Sequence, residues 1–185
     1  MILKEQHLSS VINLNGKILA LACTAVVSGN CFAASATIVR NYQYGLCANP
    51  ATASSGALVQ TATCTATPAQ MWSAEYVDKG GFGTTGLAYF RLKNQQSGLC
   101  LDLQTASTAN GMKLVQTACS ASTIQQWDAP DIANTAAPYA AGKSYQVYQT
   151  FVNRFSGKCL DEPSSGPLQV YACGSGDNQR WFIAD

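Results

Sequence analysis

The sequence predicts an all-β protein in which three copies of one unit close around a shared axis. Three observations carry that prediction. The only three tryptophans end the triplets Gln70-Met71-Trp72, Gln125-Gln126-Trp127 and Gln179-Arg180-Trp181, spaced 55 and 54 residues apart (127 − 72 and 181 − 127). One cysteine of each pair keeps the same phase. Cys47, Cys100 and Cys159 come first in each unit, and Cys64, Cys119 and Cys173 come second, again at 55 and 54 (119 − 64 and 173 − 119). Beyond residue 36 no amphipathic helical window occurs, only short apolar, aromatic and β-branched runs between turn formers. A constant period of this kind marks one structural unit used repeatedly.

The elements follow in order along the chain. Residues 1–36 read as a secretory signal: Lys4 and Lys17, then the apolar run Ile18 to Val27, then small residues at Ala33, Ala34 and Ala36. Cleavage is expected after Ala36, with Ala33 as the second choice. The run is too short to span a bilayer. A lipoprotein signal acylated at Cys23 is the minority reading, because Ala20 stands where leucine is usual. Residues 37–185 then form one domain with repeats at about 38–83, 87–135 and 147–185. Strand-like runs lie at Leu87–Asn94, Leu114–Cys119, Gln146–Val152 and Leu168–Tyr171. Turns are marked by Gly80-Gly81, Ser97-Gly98, Asn110-Gly111, Ser156-Gly157 and Ser164-Ser165-Gly166. The stretch Ala129–Lys143, with Pro130 and Pro138, reads as the loop joining units two and three.

Composition excludes several partner classes. Charged residues are 11% of the chain, against roughly 25% in ordinary soluble domains. The net charge of +1 provides neither a basic footprint for nucleic acid nor a polybasic face for anionic lipid. Without residues 1–36 the chain keeps nine positive and nine negative side chains (11 − 2 and 10 − 1). A surface made of Ser, Thr, Gln and Asn suits neutral polar ligands.

Eight cysteines become six once Cys23 and Cys31 leave with the signal. Six allow 15 pairings, and the repeat selects one per unit: Cys47–Cys64, Cys100–Cys119 and Cys159–Cys173. Disulfides imply an oxidising compartment, secreted or periplasmic. A zinc site would need ligands that are missing, since no Cys-x-x-Cys occurs and His7, the only histidine, lies in the signal. Triad chemistry is absent for the same reason. A carboxylate pair is the one catalytic route left. Asp161 and Glu162 would point to opposite faces of a strand, and the repeat keeps Asp102 away from Asp161. The expectation is a protein that is not an enzyme and needs no cofactor.

These residues resemble the ricin-type β-trefoil lectins, whose repeat runs Gly-x-Cys-Leu-Asp, then Gly, then hydrophobic-Gln-x-aromatic-x-Cys, and finally Asn-Gln-x-Trp. The likeness covers residues 38 to 185 and implies a β-trefoil. Unit three matches throughout: Gly157-Lys158-Cys159-Leu160-Asp161, Gly166, Leu168-Gln169-Val170-Tyr171-Ala172-Cys173, and Asp177-Asn178-Gln179-Arg180-Trp181. The resemblance makes Asp161 the acceptor of sugar hydroxyls and Tyr171 the ring that stacks on the sugar. It adds Gln169 and Asn178 to the polar set, with Gln179 orienting Asp161 from behind. The chemistry agrees: a carboxylate gives charge-assisted acceptors, amides donate and accept, and a flat ring covers a C–H face.

The other units depart from the pattern. Unit two keeps Cys100-Leu101-Asp102 and Gln116, but Val115 to Cys119 lacks the aromatic and reads one residue short, with Ile124 in place of the asparagine. A turn cap is the leading role for Asp102. Unit one has Asn49, Ala62 and Ala69 at the Asp, aromatic and Asn positions. The tryptophans are expected in the core. The function implied is a secreted lectin that binds galactose-like glycans through unit three. The alternative is the targeting subunit of a multi-chain bacterial toxin, resembling the binding subunits of cytolethal distending toxins, with a toxin or enzyme chain as partner.

Overall fold

The computed structural model describes residues 37–77, 89–129 and 148–184. The signal, its cleavage sites, Cys23 and all but Ala129 of the joining loop lie outside these residues. Thirteen strands are described: β1 Thr37–Asn41, β2 Cys47–Pro50, β3 Val59–Ala62, β4 Met71–Tyr76, β5 Phe90–Asn94, β6 Cys100–Leu103, β7 Met112–Thr117, β8 Trp127–Asp128, β9 Tyr148–Gln149, β10 Val152–Asn153, β11 Cys159–Asp161, β12 Gln169–Tyr171 and β13 Trp181–Ala184. The third unit splits its first strand into β9 and β10, where the sequence predicts one run through Val152.

Strand pairing closes a ring. β1 pairs β4, β4 pairs β5, β5 pairs β8, β8 pairs β10, β9 pairs β13, and β13 returns to β1 with Ile38 opposite Ala184. Chain continuity between β9 and β10 completes the ring, and closure of this kind reduces the strand edges that could template aggregation. The hairpins β2–β3, β6–β7 and β11–β12 stand outside the ring. They meet through backbone bonds from Leu114 N to Leu168 O (2.9 Å) and from Leu168 N to Val59 O (2.8 Å). This is the β-trefoil arrangement, all-β and three-fold. Its disulfides are Cys47–Cys64, Cys100–Cys119 and Cys159–Cys173, one in each unit.

The core explains the period. Trp72, Trp127 and Trp181 are buried to 1%, 0% and 0% exposure, and they pack with Phe90, Phe151 and the inward residues of the hairpins. The inward leucines and valines Val59, Leu114 and Leu168 are each 0% exposed. Each such side chain contributes about 1.5–3 kcal/mol through removal of apolar surface from water.

A second repeated device positions the units against one another. Asn41, Asn94 and Asn153 each begin an Asn-x-x-x-Gly turn and are almost wholly buried. Each side-chain oxygen accepts from the amides two and three residues on: Gln43 and Tyr44, Gln96 and Ser97, Phe155 and Ser156. Each Nδ2 crosses to a neighbouring unit, donating to Asn178 O (3.0 Å), Ala69 O (2.7 Å) and Ile124 O (2.9 Å) respectively. The turns close at Gly45, Gly98 and Gly157, whose φ values of 66°, 69° and 66° suit residues without Cβ.

Candidate functional site

The third hairpin presents one face. In its register Cys159 faces Tyr171 and Asp161 faces Gln169. With a period of two, Asp161, Gln169 and Tyr171 share one side. The 3-10 turn Asp177–Gln179 then brings Asn178 and Gln179 against it.

Three amides converge on the Asp161 carboxylate. Gln169 Nε2 donates to Oδ2 at 2.8 Å, Asn178 Nδ2 to Oδ1 at 2.6 Å, and Gln179 Nε2 to Oδ1 at 3.0 Å. A carboxylate has about four acceptor positions, so Oδ2 keeps one for a ligand hydroxyl. Asp161 is 4% exposed and Gln179 5%, whereas the Tyr171 ring is 44% exposed at the rim. Gln169 and Asn178 are half-buried between them. The arrangement is a buried anionic acceptor, a layer of amides and an open aromatic face. It suits a ligand with hydroxyls on one edge and C–H groups on a face.

Gln179 also holds the hairpin. Its Oε1 accepts from Gly174 N at 2.8 Å and its Nε2 donates to Ala172 O at 3.0 Å, on either side of Cys173. Gln70 does the same with Thr65 N and Thr63 O around Cys64, and Gln125 with Ser120 N and Ala118 O around Cys119. The glutamine of Gln-x-Trp is therefore scaffold in every unit. Gly176 matters too: a Cβ there would lie 2.5 Å from Asn178 Oδ1, so a larger residue would displace the amide.

Unit two differs from its sequence reading in register. Asp102 faces Val115 and Cys100 faces Thr117. No residue is missing: Val115 occupies the position of Gln169 and Thr117 that of Tyr171. Gln116 points the other way and is 0% exposed, donating to Thr52 O (2.7 Å) while accepting from Ser97 Oγ (2.8 Å). It fastens unit two to unit one. Counting back from Cys119 would have revealed this, since Leu114 and Leu168 stand the same distance before their cysteines. Asp102 caps no turn. It is 5% exposed and accepts from Thr117 Oγ1 at 2.5 Å and Gln125 Nε2 at 2.9 Å. In unit one Asn49 faces Gln60 but donates to Pro50 O at 3.0 Å, so its amide is turned into its own strand.

One residue of the third site has no counterpart in the sequence reading. Lys113 on β7 lies opposite Gln169 on β12, and its Nζ donates to Gln169 Oε1 at 2.9 Å. It orients that amide so that Nε2 faces Asp161, and it sets a cation beside the site. Asn110, also of unit two, accepts from Ala172 N at 3.0 Å and supports the strand end that carries Tyr171. Among the described residues no group of three or more His, Cys, Asp or Glu could hold a metal ion.

A family model described as ricin-type beta-trefoil lectin domain-like matches residues 81–146. Of solved structures, the designed three-fold symmetric protein ThreeFoil superposes with a TM-score of 0.61 at 27% identity, over 81% of this chain and 98% of that one. A Polyporus squamosus lectin, solved with the epitope Neu5Aca2-6Galb1-4GlcNAc, gives 0.60 at 12% identity, over 80% of this chain and 48% of that one. A chain of the cytolethal distending toxin from Actinobacillus actinomycetemcomitans gives 0.55 at 16%, over 80% and 90%. This chain thus spans less than half of the Polyporus lectin. No curated protein sequence matches it. The family match over residues 81–146, the repeat and the topology make this chain similar in fold to ricin-type β-trefoil lectin domains. A lectin-like fold of this kind supports carbohydrate binding in general.

Proposed function

We propose that this protein is a secreted or periplasmic lectin, without enzymatic activity, that binds a galactose-like residue through its third repeat. The observation that carries the reading is the convergence of Gln169, Asn178 and Gln179 on Asp161 beneath the exposed ring of Tyr171. The galactose-containing epitope bound to the Polyporus squamosus lectin supports the sugar class. One small-sugar site of this size binds at about 1 mM, or roughly −4 kcal/mol. Useful avidity then comes from several copies or from a partner with its own site.

A glycan array with wild type, Asp161→Ala and Tyr171→Ala tests the site. Galactose-terminated signals should appear with wild type and fall at least about tenfold in both variants, since hydrogen bonds to a charged group are worth about 1.5–3 kcal/mol. No signal, or equal signal from all three proteins, would sink the assignment. N-terminal sequencing of exported protein tests the compartment: a chain beginning at Thr37 fits the signal, and one acylated at Cys23 fits the lipoprotein reading.

A second reading, the targeting subunit of a toxin, is favoured by the likeness to a chain of cytolethal distending toxin over 90% of that chain's length. It makes contact with a partner chain the main task. Co-purification of a second chain that survives Asp161→Ala would support it over the lectin reading.

A further inference from the structure

Asp161 and Glu162 are neighbours with opposite orientations. Asp161 faces the third-repeat cluster. Glu162 turns to the first repeat, where Thr61 Oγ1 donates to its Oε1 at 2.5 Å. Glu162 is 4% exposed, and its second oxygen, Oε2, is buried without a hydrogen-bond donor among the described residues. An unsatisfied buried acceptor of this kind is destabilising. The scaffold does not require it: the positions equivalent to Glu162 are Pro50 in unit one and Leu103, a core residue, in unit two.

Glu162 also lines a cavity of about 300 Å³ at the seam between the first and third repeats. That volume lies at the small end of ligand sites. Its other walls include Tyr44, Gln60, Thr61, Ser164 and Ser165, and neither lysine nor arginine is present. Burial pushes the Glu162 carboxyl above its usual range, the Thr61 bond pulls it partly back, and the Asp161 charge raises it further. Among the described residues that line the cavity, no cation offsets it.

We infer that this cavity is a second ligand site, separate from the Tyr171 site, which takes a small hydroxylated ligand bearing a primary ammonium group: an unacetylated amino sugar. The ammonium N–H completes Glu162 Oε2 and its charge offsets the carboxylate. Gln60, Ser164 and Ser165 offer donors and acceptors to ring hydroxyls. The ring of Tyr44, 43% exposed, offers a flat face to C–H groups or to the cation. A neutral sugar would leave Glu162 without a counter-charge. A divalent cation would lack further protein ligands, since no metal-binding group of three occurs among the described residues.

Titration of ¹⁵N-labelled protein with glucosamine, N-acetylglucosamine and glucose decides the matter. Glucosamine should shift the amides of Thr61 and Ser165 with saturation in the millimolar range of a small-ligand site, while the other two sugars should not. Glu162→Gln keeps an acceptor for Thr61 but removes the charge, and should weaken glucosamine at least about tenfold. Tyr171→Ala should bind glucosamine as wild type does, which separates this site from the lectin site and makes their failures distinguishable. Absence of saturable shifts would overturn the inference. So would equal response to the acetylated sugar, undiminished binding by Glu162→Gln, or loss of glucosamine binding in Tyr171→Ala.

Discussion

Gln70, Gln125 and Gln179 make the same pair of backbone bonds across their disulfides, and they differ only in what else they reach. Gln125 and Gln179 each also hold an aspartate, and only at Asp161 do two further amides join. The proposed binding set thus sits beside scaffold residues in the sequence. Tyr171 lies outside the bonded cluster and is 44% exposed. Tyr171→Ala should therefore leave the denaturant midpoint within about 0.5 kcal/mol of wild type, while glycan binding falls at least about tenfold through the lost stacking surface. Equal losses of both would make Tyr171 a packing residue. The members of this cluster are the residues that the resemblance to ricin-type repeats implies. Lys113 is not legible from the unit-three pattern because it belongs to a different repeat, and the face of Gln116 depends on register, since a one-residue slip in a strand reverses it.

At the scale of elements, the Asn-x-x-x-Gly turns tie each unit to a neighbour. Asn153 is 0% exposed, and its side chain holds Phe155 N, Ser156 N and Ile124 O. Asn153→Ala removes the side-chain partner of these part-buried groups, at up to about 1–3 kcal/mol each before relaxation and access of water. Chemical denaturation should show a loss on the order of 3 kcal/mol. A change below half a kcal/mol would remove the clamp role. These asparagines recur once per unit but less evenly than the tryptophans, at 53 and 59 residues (94 − 41 and 153 − 94); asparagine in a turn has many uses, and only the cross-unit bonds reveal the clamp. The hairpin end at Glu162 makes a pH prediction. Its folded carboxyl titrates above the ordinary value of 4.5, mainly through burial, so the folded state favours the proton more than the unfolded state does. The stability linked to that proton is fully present below 4.5 and is lost as pH rises through the raised value. Glu162→Gln should therefore raise the melting temperature at neutral pH, and the gap from wild type should narrow as pH falls towards 4.5. A gap that stays constant with pH would contradict the burial argument.

For the whole molecule, the ring of first and last strands closes where β1 meets β13, joining the two ends of the described chain. Each disulfide then staples a hairpin outside that ring, across 17, 19 and 14 residues. By the chain-entropy estimate each closure contributes about 3 kcal/mol. The double variant Cys100→Ala, Cys119→Ala should lose about that much stability while keeping the β-sheet circular dichroism signature. Loss of the signature would mean that the core alone cannot hold the trefoil.

The sequence by itself determined the number of units, the all-β class, the pairing of the cysteines and the one unit with a complete polar set. The first three follow from residue types recurring along the chain, which a period exposes directly; the polar set is what the resemblance to ricin-type repeats implies. Only the tertiary structure decided that Gln116 is a fastener, that Lys113 orients Gln169 from another unit, and that Glu162 turns away from its neighbour into a cavity shared with unit one. Those facts depend on which residues of different repeats meet at a seam. A period describes what the copies share, and the seams are where this chain's copies differ.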